Sequence, residues 1–372
     1  MSVPAITGNY RLWRESRRVT KPEQRPRAAN PGAGSWIAPG VRESALEFHR
    51  SMPGYAATPL IEVPALAELL GAGSVWVKDE SNRFGLPAFK VLGASWAVNR
   101  ALGPAQTFDE LASRVSGRRL TLVTATDGNH GRALAYFARA LGLRSRVYVP
   151  AGLPGAPVQA IRAEGASVID TGLPYDDAVQ AAAASVRDGD VLIQDTAWPG
   201  YEEVPRWIVA GYSTLFAEID EQHPSAIGLV VVPTGVGSLL QSAIEHYRVP
   251  DRRTSVLAVE PVTAACVTTS LAAGRPITVD TSAPTIMAGL NCGTVSSTAW
   301  PTIHSGLDAA IAVTDDETRA AQALLHTYNI PAGPCGAAAL AALQVTRQPL
   351  DTVVLINTEG QSATTFGASI AQ

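Results

Sequence analysis

From about residue 74 onward, short β-rich runs alternate with longer helical patterns, and this alternation restricts the fold more than any other feature of the chain. Candidate strands are Val75–Val77, Leu120–Thr124, Arg146–Val149, Ser167–Ile169, Val191–Gln194, Gly228–Val232, Val256–Glu260, Ala310–Val313 and Thr352–Asn357. Helical patterns lie between them, at Ala94–Leu102, His130–Leu141, Tyr175–Arg187, Pro205–Glu221, Ser238–Tyr247, Ala264–Ala273, Asp316–Tyr328 and Ala337–Thr346. The runs LVVV (229–232) and VVLI (353–356) are continuously apolar, as a strand covered on both faces must be. Strands alternating with helices imply an α/β fold with mostly parallel sheets, right-handed crossovers and a ligand site beyond the carboxyl ends of the strands. At 372 residues the chain is long for one domain, and a composition break near Asp195–Pro205 suggests two lobes. Residues 1–57 read as irregular, with a Pro-, Gly- and Ala-rich arm from Lys21 to Gly40.

Composition removes several function classes. With 46% hydrophobic residues the chain is not disordered, and a net charge of −4 gives no strong pull toward nucleic acid or an anionic membrane. No apolar run approaches the roughly 18 residues of a membrane span. Arg11, Arg14, Arg17 and Arg18 precede no apolar stretch, so a secretory leader is not expected and a cytoplasmic protein is. The three cysteines, Cys266, Cys292 and Cys335, lack CxxC spacing and read as reduced thiols, Cys266 and Cys292 buried on the side away from the pocket motifs. The six histidines show neither HxxxH nor HExxH spacing, so no metal site is proposed. Only Lys21, Lys78 and Lys90 can supply a nucleophilic amine, because the remaining basic residues are arginines.

Three turns gather the chemically useful residues. In GLVVVPTGVGSLLQSAIEHY (228–247) a buried strand enters Thr234-Gly235-Val236-Gly237-Ser238 and a helix opens, which suits a phosphate. Gly235, Gly237 and the downstream Glu260 also imitate a dinucleotide fingerprint, but Leu240 stands where its third glycine belongs. In LTLVTATDGNHGRALAYFARALG (120–142) a strand ends in Thr126-Asp127-Gly128-Asn129-His130 at a helix start, where an anion such as an amino-acid carboxylate is favoured. Asp127 or Asn129 could equally be a helix cap, and His130 reads as a packed or capping residue. In the third turn Lys90 stands among Ala88, Phe89, Val91 and Leu92 at a helix start without a local counter-ion. Both surroundings lower an amine's pKa, as a Schiff-base lysine requires. Lys78, beside Asp79 and Glu80, reads as protonated.

Together these segments resemble the fold-type II pyridoxal-phosphate enzymes (tryptophan synthase β-like), the group containing threonine dehydratase and cysteine synthase, and most of all their diaminopropionate ammonia-lyase branch. The resemblance covers roughly residues 55–365 and rests on KDESNRFGLPAFKVLGAS, TATDGNHGRALA, IQDTAWPGYEEVPRWIVAGYSTLFAEI, TIMAGLNCGTVS and INTEGQSATTFG. It implies pyridoxal 5'-phosphate held by Lys90, with Asn129 beside the cofactor's 3′-oxygen. Gly235, Val236, Gly237 and Ser238 would hold its phosphate, and Thr358 would face its ring nitrogen. Thr126, Asp127, Gly128 and Asp195 would bind substrate, and Lys90, Asp127 and Asp195 would act as acids or bases. The resemblance further implies a homodimer whose large lobe (1–92 and 205–372, with the arm 1–57) binds the cofactor. A small lobe (93–204) would carry the carboxylate loop. The activity implied is elimination of ammonia from 2,3-diaminopropionate or a close β-substituted amino acid, through an aminoacrylate, to a 2-oxo acid.

In one place the chain departs from that branch: Gln361-Ser362-Ala363 follow Gly360 where acidic residues usually stand, and Asn357 replaces a small hydroxyl residue. The departure motivates a β-replacement or dehydratase activity on another amino acid as the alternative. A binding protein that has lost catalysis, and a nicotinamide dehydrogenase resting on Gly235, Gly237 and Glu260, are the readings from other classes.

Overall fold

The computed structural model describes residues 25–39, 44–126, 128–346 and 350–361. Eleven strands occur among the described residues: β1 (Arg27–Ala29), β2 (Leu60–Glu62), β3 (Ala72–Asp79), β4 (Thr121–Ala125), β5 (Arg144–Val149), β6 (Ser167–Asp170), β7 (Asp190–Leu192), β8 (Leu229–Pro233), β9 (Ser255–Pro261), β10 (Ala309–Val313) and β11 (Leu350–Asn357). They form a seven-stranded sheet, in the order β1-β10-β9-β8-β11-β3-β2, and a four-stranded sheet, in the order β6-β5-β4-β7. The small sheet is wholly parallel. The large one is parallel from β10 to β3, and its edge strands β1 and β2 pair antiparallel.

The continuous apolar runs have the physical cause inferred for them. In β8, Val230 and Val232 face one core while Val231 faces another; in β11, Val354 and Ile356 oppose Val353 and Leu355 in the same way. The first core is covered by the helices Val91–Ala101, Glu203–Gln222 and Ser238–Tyr247, the second by Pro64–Leu70, Asp315–Thr327 and Pro334–Val345. Pro334–Val345 is apolar around its whole circumference and buried from Cys335 to Leu343, as such a helix has to be. The first core continues through Leu134 and Phe137 to Leu122 of β4, so one contiguous apolar mass reaches both sheets.

The described part of the amino-terminal region contains more regular structure than expected. Within residues 1–57 the described part contains β1, added to the edge of β10, and a helix at Leu46–Arg50. Arg25 holds the edge by donating to Ala312 O at 2.8 Å and to the carboxylate of Glu317. Three paired residues have too little periodicity to be seen in sequence; the partner strand, not local propensity, makes them a strand. No helix of the described residues is long and apolar enough to cross a membrane.

Candidate active site

Strand ends build the site. Neighbouring strands β8, β11 and β3 deliver respectively the Thr234–Ser238 turn, Thr358 with Glu359, and the loop that ends in Lys90. The small sheet delivers Asn129 after β4 and Asp195 after β7. Lys90, Asn129, Asp195, the turn from Thr234 to Ser238, Thr358 and Glu359 line a single cavity of about 750 Å³, a size suited to a cofactor with a small substrate.

Lys90 precedes the helix Val91–Ala101, with the Phe89 ring 5.7 Å below its Nζ. Its counter-ion comes from 105 residues away: Nζ donates to Asp195 Oδ2 at 3.2 Å. The expectation of a lysine without a counter-ion therefore holds only locally, since the pairing depends on tertiary structure. Asp195 is oriented from the other side by Gln194 Nε2, which donates to Oδ1 at 3.2 Å. Gln194 is itself fixed, its Oε1 accepting from Ala125 N and Thr124 Oγ1. Tyr201, stacked on Trp198 with ring centroids 4.3 Å apart, accepts from Gln194 N and donates to Leu192 O. The QDTAWPGY stretch is thus a frame for one carboxylate.

Burial alone would raise the Asp195 pKa, but His130 and Lys90, together with the Lys90 hydrogen bond, outweigh it and hold the carboxyl below its usual value. His130 is buried, as the packed reading anticipates: Nε2 bonds Ile193 O at 2.9 Å and Nδ1 stands 3.9 Å from Asp195 Oδ2. Tyr212 closes the wall behind Lys90. Burial pushes its hydroxyl up to about 12, Lys90 opposing and Asp195 adding to the shift.

The glycine turn has the shape of an anion cradle. Gly237 takes φ +103°, and a Cβ there would meet Ile303 Cδ1 at 2.7 Å; a Cβ on Gly235 would meet Cys292 Sγ at 3.0 Å and Gly289 O at 3.1 Å. Ser238 then begins a helix whose first N–H groups have no intrahelical acceptors. Thr358 Oγ1, in the same cavity, is buried and has no hydrogen-bond partner among the described residues. A buried hydroxyl of that kind calls for a ligand atom. The chain thus offers a primary amine, a phosphate cradle and an unsatisfied hydroxyl in one cavity, a set that fits pyridoxal phosphate.

Other anticipated residues are placed differently. Thr126 Oγ1 accepts from Gly128 N and Gly131 N, each at 3.0 Å, and so caps the helix Asn129–Ala140; neither Thr126 nor Gly128 lines the cavity. Asp127 lies outside the described residues. Gln361 turns away, its Nε2 lying 3.3 Å from His326 Nδ1, so this residue does not shape the rim; Ser362 and Ala363 lie outside the described residues. Cys292 and Cys335 line the cavity, contrary to the placement of Cys292 away from it, because the 284–294 segment folds over the phosphate turn. Lys78 is paired not with its sequence neighbours but with Glu218 at 2.6 Å, and burial lowers its pKa against the pull of Glu80 and Glu218. Glu260 accepts from Val267 N, Thr268 N and Thr268 Oγ1, an arrangement that satisfies a helix start and leaves no acid for a nucleotide ribose. Glu359, Gln194 and Tyr212 were not singled out from sequence, although each belongs to a recognisable block.

Comparison with known proteins agrees with this geometry. Residues 52–359 match the family model described as pyridoxal-phosphate dependent enzyme. The diaminopropionate ammonia-lyase of Salmonella typhimurium is 38% identical over 314 residues, 78% of this chain and 77% of that protein. A biosynthetic L-threonine dehydratase of Mycobacterium leprae is 31% identical over 84% of this chain and 70% of its own length. The crystal structure of the Escherichia coli diaminopropionate ammonia lyase, in complex with an aminoacrylate-PLP azomethine intermediate, superposes with a TM-score of 0.82. Its identity is 30%, and the match covers 92% of this chain and 95% of that one. With both sheets, the lysine-bearing cavity and the matched span in agreement, the chain belongs to the family of pyridoxal-phosphate dependent enzymes.

Proposed function

We propose that the protein is an ammonia-lyase acting on 2,3-diaminopropionate or a closely related β-substituted amino acid, releasing a 2-oxo acid and ammonia. One observation carries the reading: a carboxylate held ionised, Asp195, stands 3.2 Å from the cavity's amine. A second amino group on the substrate finds there the anion that binds it as an ammonium. Relatives bearing the same activity in their names support the choice.

In this reading Lys90 holds pyridoxal phosphate, the Gly235–Ser238 turn its phosphate and Thr358 its ring nitrogen. Bound there, the cofactor supplies an electron sink for the pair left when a proton leaves the carbon bearing the amino group. Lys90 is the amine placed to take that proton, and Asp195 stabilises the ammonium so formed. Asp127 is proposed as acid/base on the opposite face, which would admit both enantiomers. Asp195 then binds the departing amino group in its protonated form. Thr358 carries no charge, so it would meet the ring nitrogen with a neutral hydroxyl rather than a carboxylate. The positive end of the helix that starts at Asn129 is the proposed seat of the substrate carboxylate, with Thr126 shaping the turn before it from outside the cavity.

The grouping of β4 to β7 within residues 121–192 supports a small lobe at 93–204 and a large one at 1–92 and 205–372. Family resemblance supports a homodimer, and three free cysteines are in keeping with a cytoplasmic location. The purified protein should take up pyridoxal phosphate with a visible absorption band, and Lys90→Ala should abolish it. The 2-oxo acid is then assayed with L- and D-diaminopropionate, serine, threonine and cysteine, as 2-oxobutanoate for threonine and as pyruvate for the others. Turnover of another amino acid with none from diaminopropionate would overturn the reading.

A further inference from the structure

We infer that Glu359 is a positioning residue that fixes the orientation of the Asn129 amide and, through it, the hydrogen bond offered to the cofactor's ring oxygen. The inference rests on the reading above, in which Asn129 lies beside that oxygen.

Glu359 Oε2 accepts from Asn129 Nδ2 at 2.9 Å across 230 residues of sequence. Asn129 starts the helix after β4 of the small sheet, and Glu359 follows β11 of the large one, so the bond joins the two sheets at the cavity both residues line. The two ends of an asparagine amide are nearly isosteric, and most sites leave their assignment open. Here the partner decides it. A carboxylate has no proton to donate, so the amino end must face it. One N–H then belongs to Glu359, while the second N–H and Oδ1 remain for the cavity.

The carboxylate that sets this orientation is itself fixed. Its Oε1 accepts from Cys335 N at 3.2 Å, in the first turn of the helix Pro334–Val345, where the helix dipole favours an anion. Its backbone is tied at both sides: Gly333 N donates to Glu359 O at 2.8 Å and Gly360 N to Pro87 O at 2.9 Å. With Gln361 turned toward His326, Glu359 is the acid by which the described part of this last motif reaches the cavity. A hydrogen bond to a charged group contributes more than a neutral one, so the orientation has a measurable effect on binding.

The test is a double-mutant cycle on the full-length holoenzyme with Glu359→Ala, Asn129→Ala and the pair, together with Glu359→Gln. Three quantities are read: the dissociation constant for pyridoxal phosphate, the position of the bound cofactor's absorption band, and thermal melting of the cofactor-free proteins. Glu359→Ala is expected to weaken cofactor binding roughly tenfold and move the band, while adding less than twofold in the Asn129→Ala background. Glu359→Gln, isosteric but able to donate as well as accept, should fall between wild type and Glu359→Ala; it carries the test if truncation prevents folding. Equal losses in both backgrounds, or an unchanged band and affinity, would overturn the inference alone. A wild type that shows no band with pyridoxal phosphate would overturn the reading of the site and this inference with it.

Discussion

Asp195 shows how a single side chain acquires a role from its surroundings. Its carboxylate has Lys90 at 3.2 Å, a framing amide from Gln194 at 3.2 Å and His130 Nδ1 at 3.9 Å. Removing the charge while keeping the shape separates electrostatics from packing. Asp195→Asn should retain cofactor uptake, because the Lys90 amine and the glycine turn remain and the amide oxygen can still accept from Lys90. Its kcat for ammonia release should fall by roughly 10²- to 10⁴-fold, the range of a displaced acid/base group. Steady-state pyruvate assays beside the visible spectrum check this; unchanged turnover would remove Asp195 from the chemistry. Lys90, Thr358 and the glycine turn could be read from sequence because each lies in a compact block after a strand. The Asn129–Glu359 contact could not, since it depends on how two sheets are set against each other.

Among the elements, the crossing of two helices positions the site most directly. Gly93 and Gly211 meet where Val91–Ala101 passes Glu203–Gln222; a Cβ on Gly211 would stand 2.5 Å from Leu92 O and 2.8 Å from Gly93 Cα. Both obstacles are backbone, which cannot rotate aside. Gly211→Ala is therefore predicted to destabilise the protein by about 1–3 kcal/mol, although alanine is the better helix former. Cofactor affinity should drop as well, because Lys90 begins the displaced helix. Urea unfolding and cofactor titration measure the two effects, and a stabilised variant would show that the crossing has slack. The long helices and buried strands were legible because their periodicity is internal. The strands β1 and β2 were not, being three residues long and made by their partners. The helices Pro64–Leu70, Phe108–Val115, Gly155–Ala163 and Trp300–Gly306 were also missed. Phe108–Val115 had a readable signal, for Thr107 accepts from Glu110 N as a helix cap with an acid three residues on.

At the scale of the whole molecule, two buried groups in different elements oppose one another in the pH dependence of stability. His49 bridges three helices: Nε2 donates to Leu92 O at 3.0 Å and Nδ1 accepts from Thr214 Oγ1 at 2.7 Å. Burial first, and then the charge of Arg83, lower its pKa from 6.5 to about 3. Glu260 at the end of β9 is raised from 4.5 to about 7 by burial, against the hydrogen bonds from Thr268 and Val267. Between pH 3 and 6.5 the unfolded chain carries a proton on His49 that the folded chain lacks, so that contribution to stability is lost as pH falls. Between pH 4.5 and 7 the folded chain carries a proton on Glu260 that the unfolded chain lacks, so this one is lost as pH rises. Over the shared window each slope is about 1.4 kcal/mol per pH unit and the signs are opposite. Glu218 and Asp220, held near 2 where their basic partners outweigh burial, contribute only below about pH 4.5 and do not disturb the window. In the cofactor-free protein the pair should therefore cancel between pH 4.5 and 6.5. Glu260→Gln should expose the histidine slope, stability falling toward acid, and His49→Gln the reverse, stability falling toward neutrality. Unfolding free energies from urea titrations across that window decide it: two variants with the same slope would mean that these groups do not carry the proton difference.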